Sequence, residues 1–208
     1  WALTVLSDPE FQWLEIDSTT YLVDDVVIGK SDSSLICCQC KKNQADFSAW
    51  SIADLVDELD KASLALARNP RAQVRFYSRS EFGELAKLRE HSALYGNEAD
   101  YNASLSKGHK KTNSDLAAHL AVQTPGLSTY EFLRRISFNV SPDFDRIETL
   151  LRERLGQMAS NSDAAFDALW TRLSKLGGRM EGGNLTASSR YRLTKDDLKD
   201  ILQHAGAM

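Results

Sequence analysis

Short apolar runs and helically spaced apolar residues alternate along the first 95 positions of the chain. Leu35–Lys41 begins as a continuous apolar run, which is typical of a central strand that is buried on both faces. From Ile52 to Leu66 the apolar residues recur at helical spacing, and Asn69-Pro70 ends that pattern. The predicted strands are Trp13–Ile16, Tyr21–Ile28, Leu35–Lys41 and Gln73–Tyr77, and the predicted helices are Ser51–Ala67 and one that runs from a Ser78/Glu81 capping box through Leu88.

The rest of the chain is more polar at first and then helical. Residues 96–126 predict a connection with one short helix near Leu116–Val122. Residues 127–208 predict a helical subdomain, because apolar residues recur at helical spacing between clear start and stop signals. Its predicted helices are Leu127–Ile136, Phe144–Met158 after the Ser141-Pro142 start, Ala164–Leu176 before Gly177-Gly178, and, after a glycine-rich loop, a last helix capped by Thr194. The chain therefore predicts an α/β part over residues 1–95, followed by the connection and the helical subdomain.

The composition, with 42% hydrophobic and 26% charged residues among 208, is that of an ordinary soluble globular protein. No apolar run is long enough to cross a membrane. The opening WALTVL resembles the end of a helix and lacks the features of a signal peptide, so we expect a fragment of a longer protein. Cys37, Cys38 and Cys40 lie in one strand-like run, where neither a zinc site nor a disulfide fits. Reduced thiols and a cytoplasmic location are therefore expected.

The net charge of −4 lacks the basic footprint that most nucleic-acid-binding domains carry. Gly29-Lys30-Ser31 looks like the end of a phosphate-binding loop. Such a loop needs another glycine with four residues between it and Gly29, and that position is Asp24. It also needs a helix directly afterwards, whereas Asp32–Ser34 leads into another strand. We therefore predict a hairpin turn over Gly29–Ser34.

Two acids and a Gln-x-Lys sequence stand where neighbouring strands would begin and end. Asp24 and Asp25 precede an apolar triplet, and Gln39 and Lys41 share one face of the next strand because side chains alternate. If the two strands pair through the predicted turn, the Asp25 end lies beside the Lys41 end. Carboxylate and amide oxygens suit Mg²⁺ (or Mn²⁺), and a nearby lysine can orient an attacking water.

The arrangement Asp25…Gln39-x-Lys41 resembles the PD-(D/E)XK nuclease motif, in the variant with glutamine at the second acid. The stretches WLEID, VDDVVIG, CCQCKKN and VRFYSRSEFGELAKL resemble the double-stranded-DNA endonuclease domain of bacterial anti-phage systems, which is fused to cyclic-oligonucleotide sensors or STAND-type ATPases. The resemblance covers about residues 10–95. It implies a restriction-endonuclease-like α/β fold, in which helices flank a central mixed sheet and the first helix is truncated here.

The resemblance also implies residue roles by position. The implied catalytic residues are Asp25, Gln39, Lys41 and Glu15, and the implied ligands of Mg²⁺ or Mn²⁺ are Asp25, Gln39 and Asp24. The candidate DNA-binding residues are Lys42, Arg79, Lys107, Lys110 and Lys111. Two alternatives stay open: a salt bridge at a helix start for Arg79, and a solvated loop for the last three lysines.

The leading hypothesis is a metal-dependent endonuclease that cleaves phosphodiester bonds of double-stranded DNA as the effector domain of a larger anti-phage defence protein. Its expected partners are DNA, a sensor or ATPase module in the same polypeptide, and further copies of itself on activation. The alternative is a catalytically inactive nuclease-fold module that serves DNA binding or oligomeric assembly.

Overall fold

Strands and helices follow one another along most of the chain. A computed structural model of the protein describes residues 1–42, 48–177 and 192–206. The strands are β1 Phe11–Ile16, β2 Val26–Lys30, β3 Leu35–Cys40, β4 Ala72–Ser78, β5 Ile136–Val140 and β6 Arg192–Thr194. The helices are α1 Ala2–Ser7, α2 Val56–Arg68, α3 Gly83–Ala93, α4 Glu98–Ser104, α5 Lys107–Gln123, α6 Thr129–Arg135, α7 Phe144–Gly156, α8 Ser162–Gly177 and α9 Lys195–His204, and a 3₁₀ helix, Ala53–Leu55, leads into α2.

The strands of the described ranges form a mixed sheet in the order β5-β4-β3-β2-β1-β6. Strand β1 pairs antiparallel with β2 and β6, and β4 pairs parallel with β5. The predicted α/β fold, a mixed sheet flanked by helices and followed by a helical part, is confirmed. Within the described ranges, no helix is both long and apolar enough to cross a membrane.

The chain divides into two compact units. The first combines Trp1–Leu35 with Pro142–Met208, and the second is Ile36–Ser141. The predicted ranges 1–95, 96–126 and 127–208 divide the chain at other positions and stay a prediction. The difference arises because the last helices pack with the first strands, a long-range association that local sequence patterns do not report.

In the first unit, the indole of Trp13 on β1 covers Gly29 on β2, its partner in the register. The turn after β2 closes with a hydrogen bond from the Lys30 N–H to the Ser34 carbonyl at 3.0 Å, and Ser33 has a left-handed φ of 67°. The Ser31 N–H donates to the Glu10 carbonyl at 2.8 Å. The predicted hairpin turn is therefore confirmed. Buried apolar side chains from the two ends of the chain form the core of this unit: Val5, Leu14, Val27, Ile28, Leu155, Ala165, Leu176, Leu198 and Leu202.

The second unit contains β5, a strand that was missed within the predicted helix Leu127–Ile136 and the residues after it. Helix α6 ends at Arg135, and the alternating sequence Ile-Ser-Phe-Asn-Val then pairs with β4 from Val74↔Ile136 to Ser78↔Val140. The core of this unit includes large, fully buried side chains: Leu55, Leu59, Leu66, Phe76, Phe82, Leu85, Leu88, Tyr101, Leu116 and Phe132.

The predicted polar connection over residues 96–126 is instead two helices with side-chain caps. Asn97 accepts a hydrogen bond from the Asp100 N–H at the start of α4, and Ser106 accepts one from the His109 N–H at the start of α5. Few apolar residues were needed, because Tyr101 alone fills the buried side of the short helix α4. The predicted short helix near Leu116–Val122 is confirmed as the last part of α5, whereas the weak apolar pattern concealed α4 and the first turns of α5.

Two other predicted helix caps were wrong, although α7 begins at Phe144 as predicted, and one cap is confirmed. Helix α3 begins after Phe82, and Ser78 receives hydrogen bonds from the Trp50 indole at 2.9 Å and the Ser80 N–H at 3.0 Å. Helix α7 is capped by Asp143 in place of Ser141. Thr194 and Asp197 form the capping box of α9. Residues 178–191, which hold most of the predicted glycine-rich loop, lie outside the described residues.

Candidate functional site

Three aspartates gather at one end of the β1–β2 pair in the first unit. Asp24 and Asp25 precede β2, which begins at Val26 and is shorter than the predicted strand. The Asp17 N–H donates to the Asp25 carbonyl at 3.1 Å, and the Ser18 N–H donates to the Asp24 carbonyl at 2.8 Å. Burial raises the pKa of Asp17, and the charges of Asp25 and Asp24 raise it further. This cluster therefore concentrates negative charge.

Asp17→Asn is expected to raise the melting temperature at pH 7. The folded state holds the Asp17 proton more tightly than the unfolded state, whose pKa is near 3.8. That contribution to stability is complete below the unfolded pKa and is lost as pH rises through the folded pKa. Asparagine stays neutral and tolerates the left-handed φ of 48° at this position. Thermal melts from pH 3 to pH 8 test this, and a gain that did not shrink toward low pH would contradict the charge explanation.

Glu15, a predicted catalytic carboxylate, is fully buried in the first unit and already has partners. The Ser18 hydroxyl donates to its Oε1 at 2.6 Å, and Arg192 on β6 forms an ion pair with its Oε2 at 3.2 Å. The Arg192 guanidinium lies 3.8 Å from the Trp13 ring centroid. These contacts compensate the burial of the carboxylate, so Glu15 has a structural role in joining β1 to β6.

Gln39 and Lys41 lie at the end of β3, in the second unit. The Gln39 side chain is buried, and Lys41 follows the strand, where its N–H donates to the Tyr77 carbonyl at 2.7 Å. The Lys41 ammonium pairs with Glu58 of α2 at 2.5 Å and lies 5.6 Å from the Trp50 ring centroid. Sequence reasoning missed Glu58, although it lies among the apolar positions of α2, three residues after Leu55.

The predicted metal ligands are divided between the two units: Asp24 and Asp25 belong to the first and Gln39 to the second. Among the residues that the structure describes, no three Asp, Glu, His or Cys side chains are grouped so that they could hold a metal ion. The expected Mg²⁺ or Mn²⁺ therefore gains no support from the geometry and stays a prediction.

The predicted DNA-binding residues all lie exposed on the second unit. Lys42 and Arg79 follow the ends of β3 and β4. Lys107, Lys110 and Lys111 lie on the first turns of α5, where a loop was expected, and Lys111 is 3.7 Å from Asp115. They come from three separate elements, and nothing in their geometry defines a common ligand.

A polar cleft of about 390 Å³ lies over β4 and β5 in the second unit, and sequence reasoning missed it. Its ligating groups are guanidiniums, amides and a hydroxyl, with one carboxylate. The polar and charged residues that line it are Gln73, Arg75, Arg89, Glu90, Arg134, Arg135, Ser137 and Asn139. We call it the arginine-lined cleft. Four guanidiniums facing one carboxylate give it a positive local charge.

The four arginines differ in how many hydrogen bonds and ion pairs they already make with the protein. Arg135 donates to three backbone carbonyls and pairs with Glu131. Arg134 donates once, to the Ala93 carbonyl at 3.1 Å. The Nε of Arg89 donates to the Ile136 carbonyl at 3.1 Å, while its two terminal nitrogens make no hydrogen bond within the described residues. Arg75 donates to the Tyr77 hydroxyl. The hydrogen bond from Nε thus holds the Arg89 guanidinium in place, and its two terminal nitrogens can still donate to a ligand.

Two solved structures share this fold. A structure of the Acinetobacter baumannii Cap4 SAVED/CARF-domain containing receptor with the cyclic trinucleotide 3'3'3'-cAAA has a TM-score of 0.54 and 12% identity, over 98% of this chain and 42% of that chain. A structure of the Moraxella osloensis Cap4 SAVED/CARF-domain containing receptor has a TM-score of 0.53 and 15% identity, over 98% of this chain and 44% of that chain. This chain thus spans less than half the length of either receptor chain. No family model matches it, and no curated protein matches it significantly.

These comparisons overturn the predicted function. We expected a metal-dependent double-stranded-DNA endonuclease effector, but the two solved structures named above are receptors that contain SAVED/CARF domains, and one holds a cyclic trinucleotide. The prediction rested on the spacing of Asp25, Gln39 and Lys41, and the individual roles of these residues stay predictions. An acid before a strand and a lysine after one also arise at ordinary strand ends. In this chain Lys41 has a carboxylate partner, Glu58.

Proposed function

We propose that this chain is a module of a cyclic-oligonucleotide receptor and that its arginine-lined cleft binds the phosphates of the ligand. The open guanidinium edge of Arg89 is the observation that supports this most directly. Arginine forms forked, charge-assisted hydrogen bonds with phosphate oxygens. Because the hydrogen bond to Ile136 already fixes the guanidinium, binding costs little additional side-chain order.

The other groups of the cleft fit the same ligand. Arg134 is exposed and can turn toward a second phosphate, and Ser137 and Asn139 offer uncharged polar groups on β5. Asn139 is itself held by hydrogen bonds to the Phe76 carbonyl and the Ser137 hydroxyl, both at 3.1 Å. The chain as a whole carries a net charge of −4, so attraction of an anion depends on this local group of arginines.

The share of each receptor chain that this chain covers bears on the role of the module within a larger protein. Since the chain spans less than half of each receptor chain, we propose that the rest of a longer protein supplies further ligand contacts or the response to binding. Anti-phage defence is the proposed setting. The arginine-lined cleft would then sense the ligand without performing chemistry on it.

Arg89→Ala is expected to weaken binding of 3'3'3'-cAAA roughly 10- to 100-fold, as for the loss of one hydrogen-bonded charge contact. Arg89→Lys should recover only part of the affinity, because an ammonium keeps the charge and loses the fork. Binding can be measured by titration calorimetry or by the fluorescence anisotropy of a labelled ligand. Higher salt should weaken wild-type binding more than variant binding.

Arg68→Ala is the matched control, because Arg68 ends α2 in an exposed position outside the cleft. Its binding constant should equal that of the wild type. If the wild-type protein binds no cyclic oligonucleotide, or if Arg68→Ala and Arg89→Ala lower the affinity equally, the proposed function is wrong.

A further inference from the structure

A second cleft, of about 1000 Å³, adjoins the arginine-lined cleft in the second unit. The two share the lining residues Ala86, Glu90 and Phe138, so they are adjacent. The volumes of both lie in the range of roughly 300–1,000 Å³ that is usual for small-ligand sites. We call the second one the aromatic cleft, after Trp50, Phe82 and Phe138, which line it.

The aromatic walls are held in place by their own contacts. The Phe138 ring contacts Phe76 and Phe82, at centroid distances of 5.2 and 4.8 Å, and Phe82 is itself buried. The Trp50 indole is fixed by its hydrogen bond to the Ser78 hydroxyl at 2.9 Å. The half-buried rings of Trp50 and Phe138 are therefore fixed aromatic surfaces, and a nucleobase stacks on surfaces of this kind.

The carboxylates that line the aromatic cleft differ in whether they already have a partner within the protein. Glu84 pairs with Lys87 at 2.7 Å, and Asp115 pairs with Lys111 at 3.7 Å. Of the two remaining carboxylates, Glu81 lines the aromatic cleft alone and interacts electrostatically with Lys87. Glu90 lines both clefts and makes no side-chain hydrogen bond or ion pair with any residue that the structure describes. An ionised carboxylate only accepts hydrogen bonds, so Glu90 requires a donor from a ligand or from water.

We infer that the aromatic cleft binds a base of the cyclic oligonucleotide and that Glu90 accepts a hydrogen bond from the exocyclic amino group of that base. This inference rests on the proposed function, in which the phosphates occupy the arginine-lined cleft. Adenine carries such an amino group. Uracil presents a carbonyl oxygen at the corresponding edge, which would face the carboxylate with no proton between them. Glu90 thus makes the receptor selective for amino-bearing bases.

The test compares cyclic tri-adenylate with cyclic tri-uridylate on the full chain. Wild type should bind the adenylate roughly 10- to 100-fold more tightly, as expected for a hydrogen bond to a charged group. Glu90→Gln should lose most of that preference, because its amide can donate to the uracil carbonyl. Glu90→Asp, which keeps a carboxylate, should retain part of it. Glu98→Gln, on the exposed first turn of α4 outside both clefts, is the control and should keep the full preference.

Each outcome separates the two proposals. Equal binding of the two ligands by wild type overturns the role of Glu90 and leaves the phosphate cleft standing. An unchanged preference in Glu90→Gln does the same. Absence of binding by either ligand overturns the proposed function and this inference together. Glu90 is exposed, so the variants are expected to fold, and thermal melts should coincide with that of the wild type.

Discussion

Arg135→Ala is expected to lower the free energy of unfolding by roughly 2–4 kcal/mol, because its side chain joins distant parts of the second unit. The guanidinium donates to the carbonyls of Leu66 at 2.9 Å, of Asn69, and of Ala72 at 3.3 Å. Its side chain is only 15% exposed. Removing it leaves these carbonyls, at the end of α2 and the start of β4, without their charged donor. Urea denaturation without ligand measures the loss.

The neighbouring Arg134 provides the control. It is exposed and makes one hydrogen bond to the residues that the structure describes, so Arg134→Ala should change stability by no more than about 0.5 kcal/mol. Arg135→Lys should recover little, because an ammonium cannot reproduce a fork directed at separate carbonyls. Equal stability of the two alanine variants would show that Arg135 does not hold these elements together.

Gly29→Ala is expected to destabilise the first unit by about 1–3 kcal/mol, the usual cost of overpacking. A Cβ at this position would lie 2.1 Å from Cε2 of Trp13, a distance that real side chains do not reach. The indole has little freedom to move, because Tyr21 stacks on it at a centroid distance of 6.3 Å and the Arg192 guanidinium covers it. Position 29 therefore has to be glycine, because the Trp13 indole occupies the space that a Cβ would need.

Two other glycines test that explanation, because nothing lies within 4 Å of a Cβ built at Gly96 or Gly108. Gly108 belongs to α5, so Gly108→Ala should raise the free energy of unfolding by up to about 1 kcal/mol, through helix propensity. Gly96→Ala should have little effect. Replacing glycine by alanine would thus lower the free energy of unfolding at position 29 and raise it at position 108. A Gly29→Ala variant as stable as the wild type would show that the indole can move aside at no cost.

The sequence predicted the elements whose causes are local. The predicted strand Leu35–Lys41 extends one residue beyond β3, and Thr194 caps α9 as expected. β6 is different: it has three residues and gains its stability from pairing with β1, far away in the sequence. The polar surface of α5 hid the first part of this helix, which buries only Leu116 and Leu120. Local periodicity cannot report such long-range pairing or so narrow a buried face.

The candidate site was harder to predict, because spacing along the chain does not determine which partner a side chain meets. Lys41 was expected to act on a water, yet it pairs with Glu58, seventeen positions further along the chain. The arginines of the cleft come from β4, α3 and α6, and no sequence motif links them. One weak indication of the cleft was present in the sequence: Arg134 and Arg135 stand directly before the alternating residues of β5. Recognising that strand would have placed them at the sheet.

The first unit combines two segments that are far apart in the sequence, and this has a consequence during synthesis on the ribosome. Strands β1 and β2 emerge early, but β6 and helices α7–α9, which complete their unit, follow only after all of Ile36–Ser141 has been translated. At roughly 5–20 residues per second, the early strands wait for several seconds with apolar side chains exposed. The second unit, continuous in the chain, can finish folding first. Chaperones would therefore encounter Trp1–Leu35 as the vulnerable segment of the nascent protein.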